Sequence, residues 1–348
     1  MTPTDWQPAI RTEGLRKVYP PPSGGKKRGV PPAPGASGHA AGGEPPNATN
    51  GGDIVALHGL DLAIPEGEFF GLLGPNGAGK STTIGILTTR IRPTGGRALV
   101  AGEDVVAQSA AVRQRIGVVP QRPNPDRSLD VIENLVFHAA YFGVPGAEAT
   151  VRAGKLLETL GISEKARARV DELSGGQQQR LMIARALIHE PSVIFLDEPT
   201  VGLDPQARLG LWDILRELHA AGRTIVMTTH YMEEAEQLCD RLAIIDRGRL
   251  LALDTTASLK AKAPGGTLIE LALDGPADAS AALVRALEHV SKSDAVGETL
   301  RIHSMAGGRI ISAAIEAAER AGRQVRNITL EEPSLETLFI ELTGRKLD

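Results

Sequence analysis

Hydrophobic and polar positions alternate along IVALHGLDLAI at 54–64, a period of two that predicts a pair of short strands. GEFFGLLG at 67–74 follows, an apolar run entering a glycine turn, as a buried strand does. The period then lengthens. STTIGILTTRI at 81–91 reads as a helix, and RALVAGEDV and RIGVVPQ as further short strands. Residues 128–170 are helical in pattern, most clearly in LDVIENLVFHAAYFG and VRAGKLLETLGI. In GGQQQRLMIARALIHE, apolar side chains at 181, 183, 184, 187 and 188 fall on one helical face. SVIFLDEP and RTIVMTTH are continuous apolar runs suited to strands covered on both sides. Between them PQARLGLWDILRELHAAG predicts an amphipathic helix stopped by Gly222. Strand and helix alternate, which argues for a parallel α/β sheet.

Two breaks interrupt this texture. Residues 20–52 are rich in Pro, Gly and Ala without hydrophobic periodicity, and are expected to form a disordered or polyproline-like insertion. AKAPGG at 261–266 marks a boundary. Beyond it come strand TLIELAL, helix ADASAALVRALEHV, strand TLRIHS, helix GRIISAAIEAAERAG, strand QVRNITL and helix PSLETLFIELTG. An extra strand near 293–297 would make a β-α-β-β-α-β order, ferredoxin-like. The expected division is therefore 1–262, with a helical part at about 122–170, and a small α+β domain at 263–348.

Composition narrows the classes. A chain of 348 residues is long enough for two domains, and 42% hydrophobic residues supply a core. A net charge of −4 exerts no pull toward nucleic acid, and 3% aromatics leave few base-stacking platforms. The single cysteine, Cys239, cannot form an internal disulfide and is read as a packing residue. No apolar run approaches the ~20 residues that span a bilayer. MTPTDWQPAI lacks the basic and apolar regions of a secretory signal, so NAT at 47–49 is set aside as a glycosylation acceptor. Work at a membrane would need another molecule to hold the chain there.

The chemistry concentrates at strand ends. Gly74, Pro75, Asn76, Gly77, Ala78 and Gly79, followed by Lys80, Ser81 and Thr82, fit G-x-x-x-x-G-K-[ST] between a strand and a helix. Glycines there let backbone N–H groups approach phosphate oxygens, and the helix presents its positive end. Lys80 would bridge the β- and γ-phosphates, and the Ser81 hydroxyl would ligate Mg²⁺. VIFLDE ends a buried strand in Asp197, a second metal ligand, and Glu198, placed to act on a water in line with the γ-phosphate. Gln121 follows a short strand, where a neutral amide could sense the metal and that water. His230 follows another strand of the same sheet.

The order of P-loop, Gln121, LSGGQ, FLDE, GLD and His230 resembles the nucleotide-binding subunit of an ATP-binding cassette (ABC) transporter, over about 14–260. LEEPSLETLFIELTG at 330–344 is similar to the tail of subunits serving ABC-2 exporters, including the daunorubicin-resistance kind. The resemblance implies a P-loop NTPase cassette: a RecA-like core, an antiparallel β subdomain and a helical subdomain. It implies ATP and Mg²⁺ as cofactors and Tyr19 stacking on adenine. The family reaches its next strand within a few residues of that aromatic, whereas here 20–52 intervene; such a loop closes at little extra cost. It implies a second copy packed head to tail, in which Leu173, Ser174, Gly175, Gly176 and Gln177 complete the γ-phosphate site of the first. Asp204 fills the adjoining loop, where Val201 stands in place of a common Ser. A separate ABC-2 permease, contacting about 122–145, would hold the subunit at the cytoplasmic face of the cell membrane. An importer subunit is the first alternative. A soluble ABC ATPase acting on ribosomes or DNA is the second, and the single cassette, acidic charge and lack of sustained heptads speak against it. The C-terminal domain is read as a packing or dimer-stabilising element, with a small-molecule sensor as the other reading.

Overall fold

The computed structural model describes residues 8–20, 52–263 and 266–344. Nearly all of the 20–52 insertion, the start of the chain and the centre of the AKAPGG boundary lie outside the described residues. The chain divides into two compact units, one ending at Leu253 and one beginning at Asp254.

In the first unit β1 (Ile10–Tyr19) and β2 (Ile54–Ile64) pair antiparallel, from Ile10 against Ile64 to Tyr19 against Ile54. The alternating stretch 54–64 is therefore one long strand, not two. Its partner precedes the insertion. Gly59 causes the break in its pattern: at φ 111° it forms a bulge, so that Leu60 faces Leu15 while His58 faces Arg16. Next come β3 (Phe69–Leu73), α1 (Lys80–Leu87), β4 (Gly95–Val100) and the short β5 (Glu103–Asp104). Strands β2-β1-β4-β5 form an antiparallel sheet in that order.

After α2 (Ser109–Arg115) and β6 (Ile116–Val119) the chain enters the helical part, α3 (Val131–Ala140), α4 (Gly146–Thr159) and α5 (Gly175–Leu187). Asp130 and Glu133 close a capping box on α3, which fixes where that helix starts. The rest of the unit is β7 (Val193–Asp197), α6 (Pro205–Ala220), β8 (Thr224–Thr229), α7 (Met232–Leu238), β9 (Arg241–Asp246) and β10 (Arg249–Thr255). The second sheet runs β10-β9-β3-β8-β7-β6. Its pairs β6–β7, β7–β8, β8–β3 and β3–β9 are parallel, as the strand–helix alternation predicts. The hydrophobic pattern does not pick out α2, α7, β9 or β10.

Strands β3, β7 and β8 are buried at every residue, which explains why they read as apolar runs. Fully burying one Phe or Leu side chain stabilises by roughly 1.5–3 kcal/mol. Phe70, Leu72, Phe195 and Val226 share one core with Ile84 and Leu87 of α1. Register aligns the three carboxyl ends, Leu73 beside Thr229 and Asp197 beside Thr228. In such sheets ligands bind at that edge.

The second unit runs α8 (Thr256–Ala261), β11 (Thr267–Leu273), α9 (Asp278–Val284), β12 (Val290–Val296), β13 (Thr299–Ser304), α10 (Ile311–Arg320), β14 (Val325–Glu331) and α11 (Leu335–Thr343). Four antiparallel strands form a sheet in the order β12-β13-β11-β14. Strand β12 occupies the position of the extra strand near 293–297. Side chains of β11 alternate between buried and half-buried, and its buried face packs with Ala281, Ala314 and Ala318 of α9 and α10. Among the described residues no helix is long and apolar enough to cross a membrane.

Candidate functional site

The glycine loop between β3 and α1 is held too closely for side chains at two positions. A Cβ on Gly74 would collide with the Ile245 carbonyl, and one on Gly79 would lie 2.7 Å from the Ala56 carbonyl. Gly79 is also left-handed, at φ 106°, and is the N-cap of α1 without a side-chain cap. The first N–H groups of α1 are therefore uncapped by side chains and face the glycine loop, as at anion sites. Lys80 opens the helix and folds back. Its Nζ donates to the Gly74 carbonyl at 2.6 Å and the Pro75 carbonyl at 3.2 Å. Thr82 lies in the same first turn.

At the end of β7 the carboxylates meet this loop. Lys80 Nζ lies 3.3 Å from Glu198 Oε1, with 4% and 6% of the two side chains exposed. Burial pulls the Lys80 ammonium below its ordinary pKa, and the neighbouring Glu198 and Asp197 act in the opposite direction. Asp197 Oδ1 accepts from the Ser81 hydroxyl at 3.2 Å and the Thr228 hydroxyl at 2.7 Å. Gln121 Nε2 donates to Glu198 Oε2 at 2.8 Å. His230 Nδ1 approaches Glu198 Oε1 to 3.5 Å but is not aligned for a hydrogen bond, and among the described residues this buried nitrogen has no hydrogen-bond partner.

Glu198 itself has a left-handed backbone, φ 48°, which costs a non-glycine residue of order 1–3 kcal/mol. Its N–H is pinned to β8 by both the carbonyl, 3.1 Å, and the hydroxyl, 3.0 Å, of Thr228. The strained turn swings the carboxylate toward Lys80 instead of letting it continue along the strand. Thr228 thus holds both acids, a role the pattern did not reveal. The signal was weak: Thr228 is one of three hydroxyl side chains, with Thr224 and Thr229, in a strand buried at every residue.

Six expected residues therefore share one cluster: Lys80, Ser81, Gln121, Asp197, Glu198 and His230. The glycine loop from Gly74 to Gly79 and Thr82 surround Lys80, and the remaining expected residues lie elsewhere. Tyr19 pairs with Ile54, two residues along β2 from Ala56, whose carbonyl abuts Gly79; its ring lies 4.9 Å from Lys17 Nζ. Ser174 is exposed and caps α5, closing a capping box with Gln177. Leu173 is buried behind it. Gly175 and Gly176 border Leu203 and Ala207, and Asp204 caps α6 through the Ala207 N–H at 2.8 Å. Ser174 and Asp204 direct their polar atoms to their own helix starts, and no hydrogen bond joins either to the Lys80 cluster among the described residues.

Chemically, the cluster can grip the end of a polyphosphate between Lys80 and the start of α1. A hydroxyl and a carboxylate oxygen stand on one side, and a second carboxylate faces the terminal phosphate. Among the described residues no three His, Cys, Asp or Glu gather as a metal cage. Ser81 and Asp197 still form a partial set of hard oxygen donors, the kind that binds Mg²⁺ when phosphate oxygens and waters complete it.

Residues 57–201 match the family described as ABC transporter. The linearmycin resistance ATP-binding protein LnrL of Bacillus subtilis (strain 168) is 37% identical over 298 residues, 85% of this chain and 96% of that protein. The daunorubicin resistance ATP-binding protein DrrA3 of Streptomyces coeruleorubidus is 39% identical over 299 residues, 84% of this chain and 92% of that protein. Among solved structures, the dimeric post-hydrolysis state of the ATP-binding cassette MJ0796 bound to ADP and Pi aligns with TM-score 0.57 and 27% identity, over 71% of this chain and 98% of that one.

Proposed function

The chain belongs to the ABC transporter family, and on that premise we propose that it is the ATP-hydrolysing subunit of an exporter, working in pairs on a separate permease. The observation that carries this reading is the buried contact of Lys80 with Glu198 beside the Ser81–Asp197 pair. The loop amides, Lys80 and Ser81 bind the phosphates of ATP, and Tyr19 receives the adenine. Ser81 and Asp197 would hold Mg²⁺ with Gln121 nearby, and the ion would supply charge neutralisation at the phosphates. Glu198 accepts the proton of the attacking water, or orients it, while His230 and Gln121 steady Glu198. Two copies pack head to tail, so that Ser174, Gly175 and Gly176 of one face the γ-phosphate held by the other, with Leu173, Gln177 and Asp204 shaping the contact. Support comes from the exposure of Ser174 at a helix start, and from the dimeric ADP–phosphate state of the related cassette.

The permease, of ABC-2 type, docks on the helical part and keeps the subunit at the cytoplasmic face of the membrane. Phe137 and Tyr141 of that region are 56% and 70% exposed. Phe137 lines a largely apolar groove of about 450 Å³ together with Ile132, Val136 and Val144, and also lines a second cavity with Tyr141. Beyond an intervening cavity that holds Asp126, one of about 260 Å³ is lined by Arg90, Arg113, Arg185, His138 and His189. Burial, then Arg185 and His189, push His138 down to about 4, so the cavity's fixed charge comes from its arginines. Such a surface suits an apolar segment carrying an acidic residue. Purification from native membranes, with identification of the bound partner, tests the reading. A polytopic export permease supports it, and a ribosomal or DNA-bound partner overturns it.

A further inference from the structure

Behind His230 lies a buried acid that the site chemistry does not use. Glu234, on the first turn of α7, has no solvent exposure. Its Oε1 accepts from the Trp212 indole N–H of α6 at 3.3 Å. Its Oε2 is buried, and among the described residues neither it nor the hydroxyl of Thr200, two residues beyond Glu198, has an aligned hydrogen bond. The Thr229 and Thr200 hydroxyls and the Trp212 indole all lie within hydrogen-bonding reach of the Glu234 carboxyl. One turn earlier on α6, the Arg208 guanidinium lies 4.8 Å from the Tyr231 ring, which in turn packs 4.1 Å from His230. Arg208 and Trp212, four apart on one helical face, thus grip Tyr231 and Glu234, three apart at the start of α7.

A buried polar atom left wholly without a partner costs about 1–3 kcal/mol, and a misaligned pair loses part of that. Such atoms remain in a fold only where another state uses them or the surroundings enforce them. A small shift of the turn after Glu198 would let the Thr200 hydroxyl donate to Glu234 Oε2 and satisfy both. That turn carries Glu198, whose partner Lys80 is the cation that a phosphate would engage.

We propose that Glu234 is a positioning residue, holding α6 through Trp212 with one carboxyl oxygen and the Glu198–Thr200 turn through the Thr200 hydroxyl with the other, so that His230 stays against Glu198 in the nucleotide-loaded site. This rests on the ATPase reading above. Glu234 itself touches neither nucleotide nor water.

The test uses the purified full chain, measuring ATP affinity, steady-state hydrolysis and melting temperature. Glu234→Ala and Thr200→Val should each lower kcat roughly ten- to a hundredfold, the scale of a misplaced catalytic group, with ATP affinity unchanged. Glu234→Gln, which keeps an acceptor for Trp212 and gains a donor for Thr200, should recover most of the rate, as should Thr200→Ser. Combining Glu234→Ala with Thr200→Val should cost little more than either alone. Parent-like kcat in Glu234→Ala or Thr200→Val overturns the proposal. So does a loss that Glu234→Gln shares, or additive effects in the double variant. Should Glu234→Ala fail to fold, Thr200→Val and Thr200→Ser carry the test. Glu198→Gln serves as the control: if it hydrolyses ATP normally, the catalytic reading has failed, independently of Glu234.

Discussion

Lys80 Nζ and Glu198 Oε1 stand 3.3 Å apart with both side chains almost wholly buried, so the phosphate-binding cation and the proposed base neutralise each other. A γ-phosphate must take Lys80 away from Glu198, which couples nucleotide arrival to release of the base. Glu198→Gln removes the competitor for Lys80 and keeps an acceptor for the Gln121 amide. It is expected to bind ATP at least as tightly as the parent, to accumulate as an ATP-bound dimer, and to lose about 10²–10⁴ in kcat. Size-exclusion chromatography with ATP, beside a phosphate-release assay, reads both. Parent-like turnover would end the assignment of Glu198.

The same pair predicts a split between stability and binding. Removing one partner of a buried ion pair strands the other and costs about 3–5 kcal/mol. Lys80→Ala should therefore melt well below the parent in the absence of nucleotide, and also lose ATP binding. Adding Glu198→Gln to Lys80→Ala should restore much of the melting temperature and none of the ATP binding. Equal melting temperatures for Lys80→Ala and the double variant would mean that the pair contributes no charge compensation.

Ser174 carries two roles that can be pulled apart. It caps α5, worth about 1 kcal/mol, and it is proposed to face the partner's γ-phosphate. Ser174→Asp preserves a good cap but sets a carboxylate against that phosphate. Ser174→Arg loses the cap and blocks the contact. Both should bind ATP as monomers, and neither should dimerise on ATP or turn it over. Only Ser174→Arg should lose stability. Normal dimerisation and turnover in Ser174→Asp would leave capping as the sole role of this residue.

Much of this site was legible because its chemistry is local. The loop from Gly74 to Ser81 is contiguous, and Asp197 and Glu198 end a strand whose apolar run announces burial on both faces. Register then brings them together, and register follows from parallel pairing. Long-range partners were not legible. β2 looked like two strands because Gly59 breaks its alternation, and its true neighbour β1 lies across the insertion. Thr228, Thr200 and Glu234 were invisible for a different reason. Thr228 sits in a strand whose apolar run needs no partner for it, Thr200 in a turn and Glu234 in a short helix the pattern does not pick out, and only the fold shows which buried polar atoms meet.

Glu234 also predicts a pH dependence with a definite sign. Burial raises its pKa above the ordinary 4.5, against the opposing Thr229, Thr200 and Trp212 donors and the Arg208 charge on α6. Cys239, after α7, is the neighbouring thiol, itself pushed up by burial and by the charges of Glu234, Asp240 and Glu68. A carboxyl with a raised folded-state pKa holds its proton more tightly in the folded chain. The stability that proton supplies is complete below the unfolded pKa, and is lost as pH rises through the folded one. Glu68 is raised as well, chiefly by burial, so the parent alone would mix two groups. The difference between the parent and Glu234→Gln isolates one. Relative to Glu234→Gln, the parent should lose melting temperature progressively as pH climbs above about 4.5, with a plateau once Glu234 is ionised. A difference that stays constant with pH would show that Glu234 ionises in the folded chain as an ordinary carboxyl does. In that case its burial would be offset in full by the hydroxyl, indole and guanidinium groups around it.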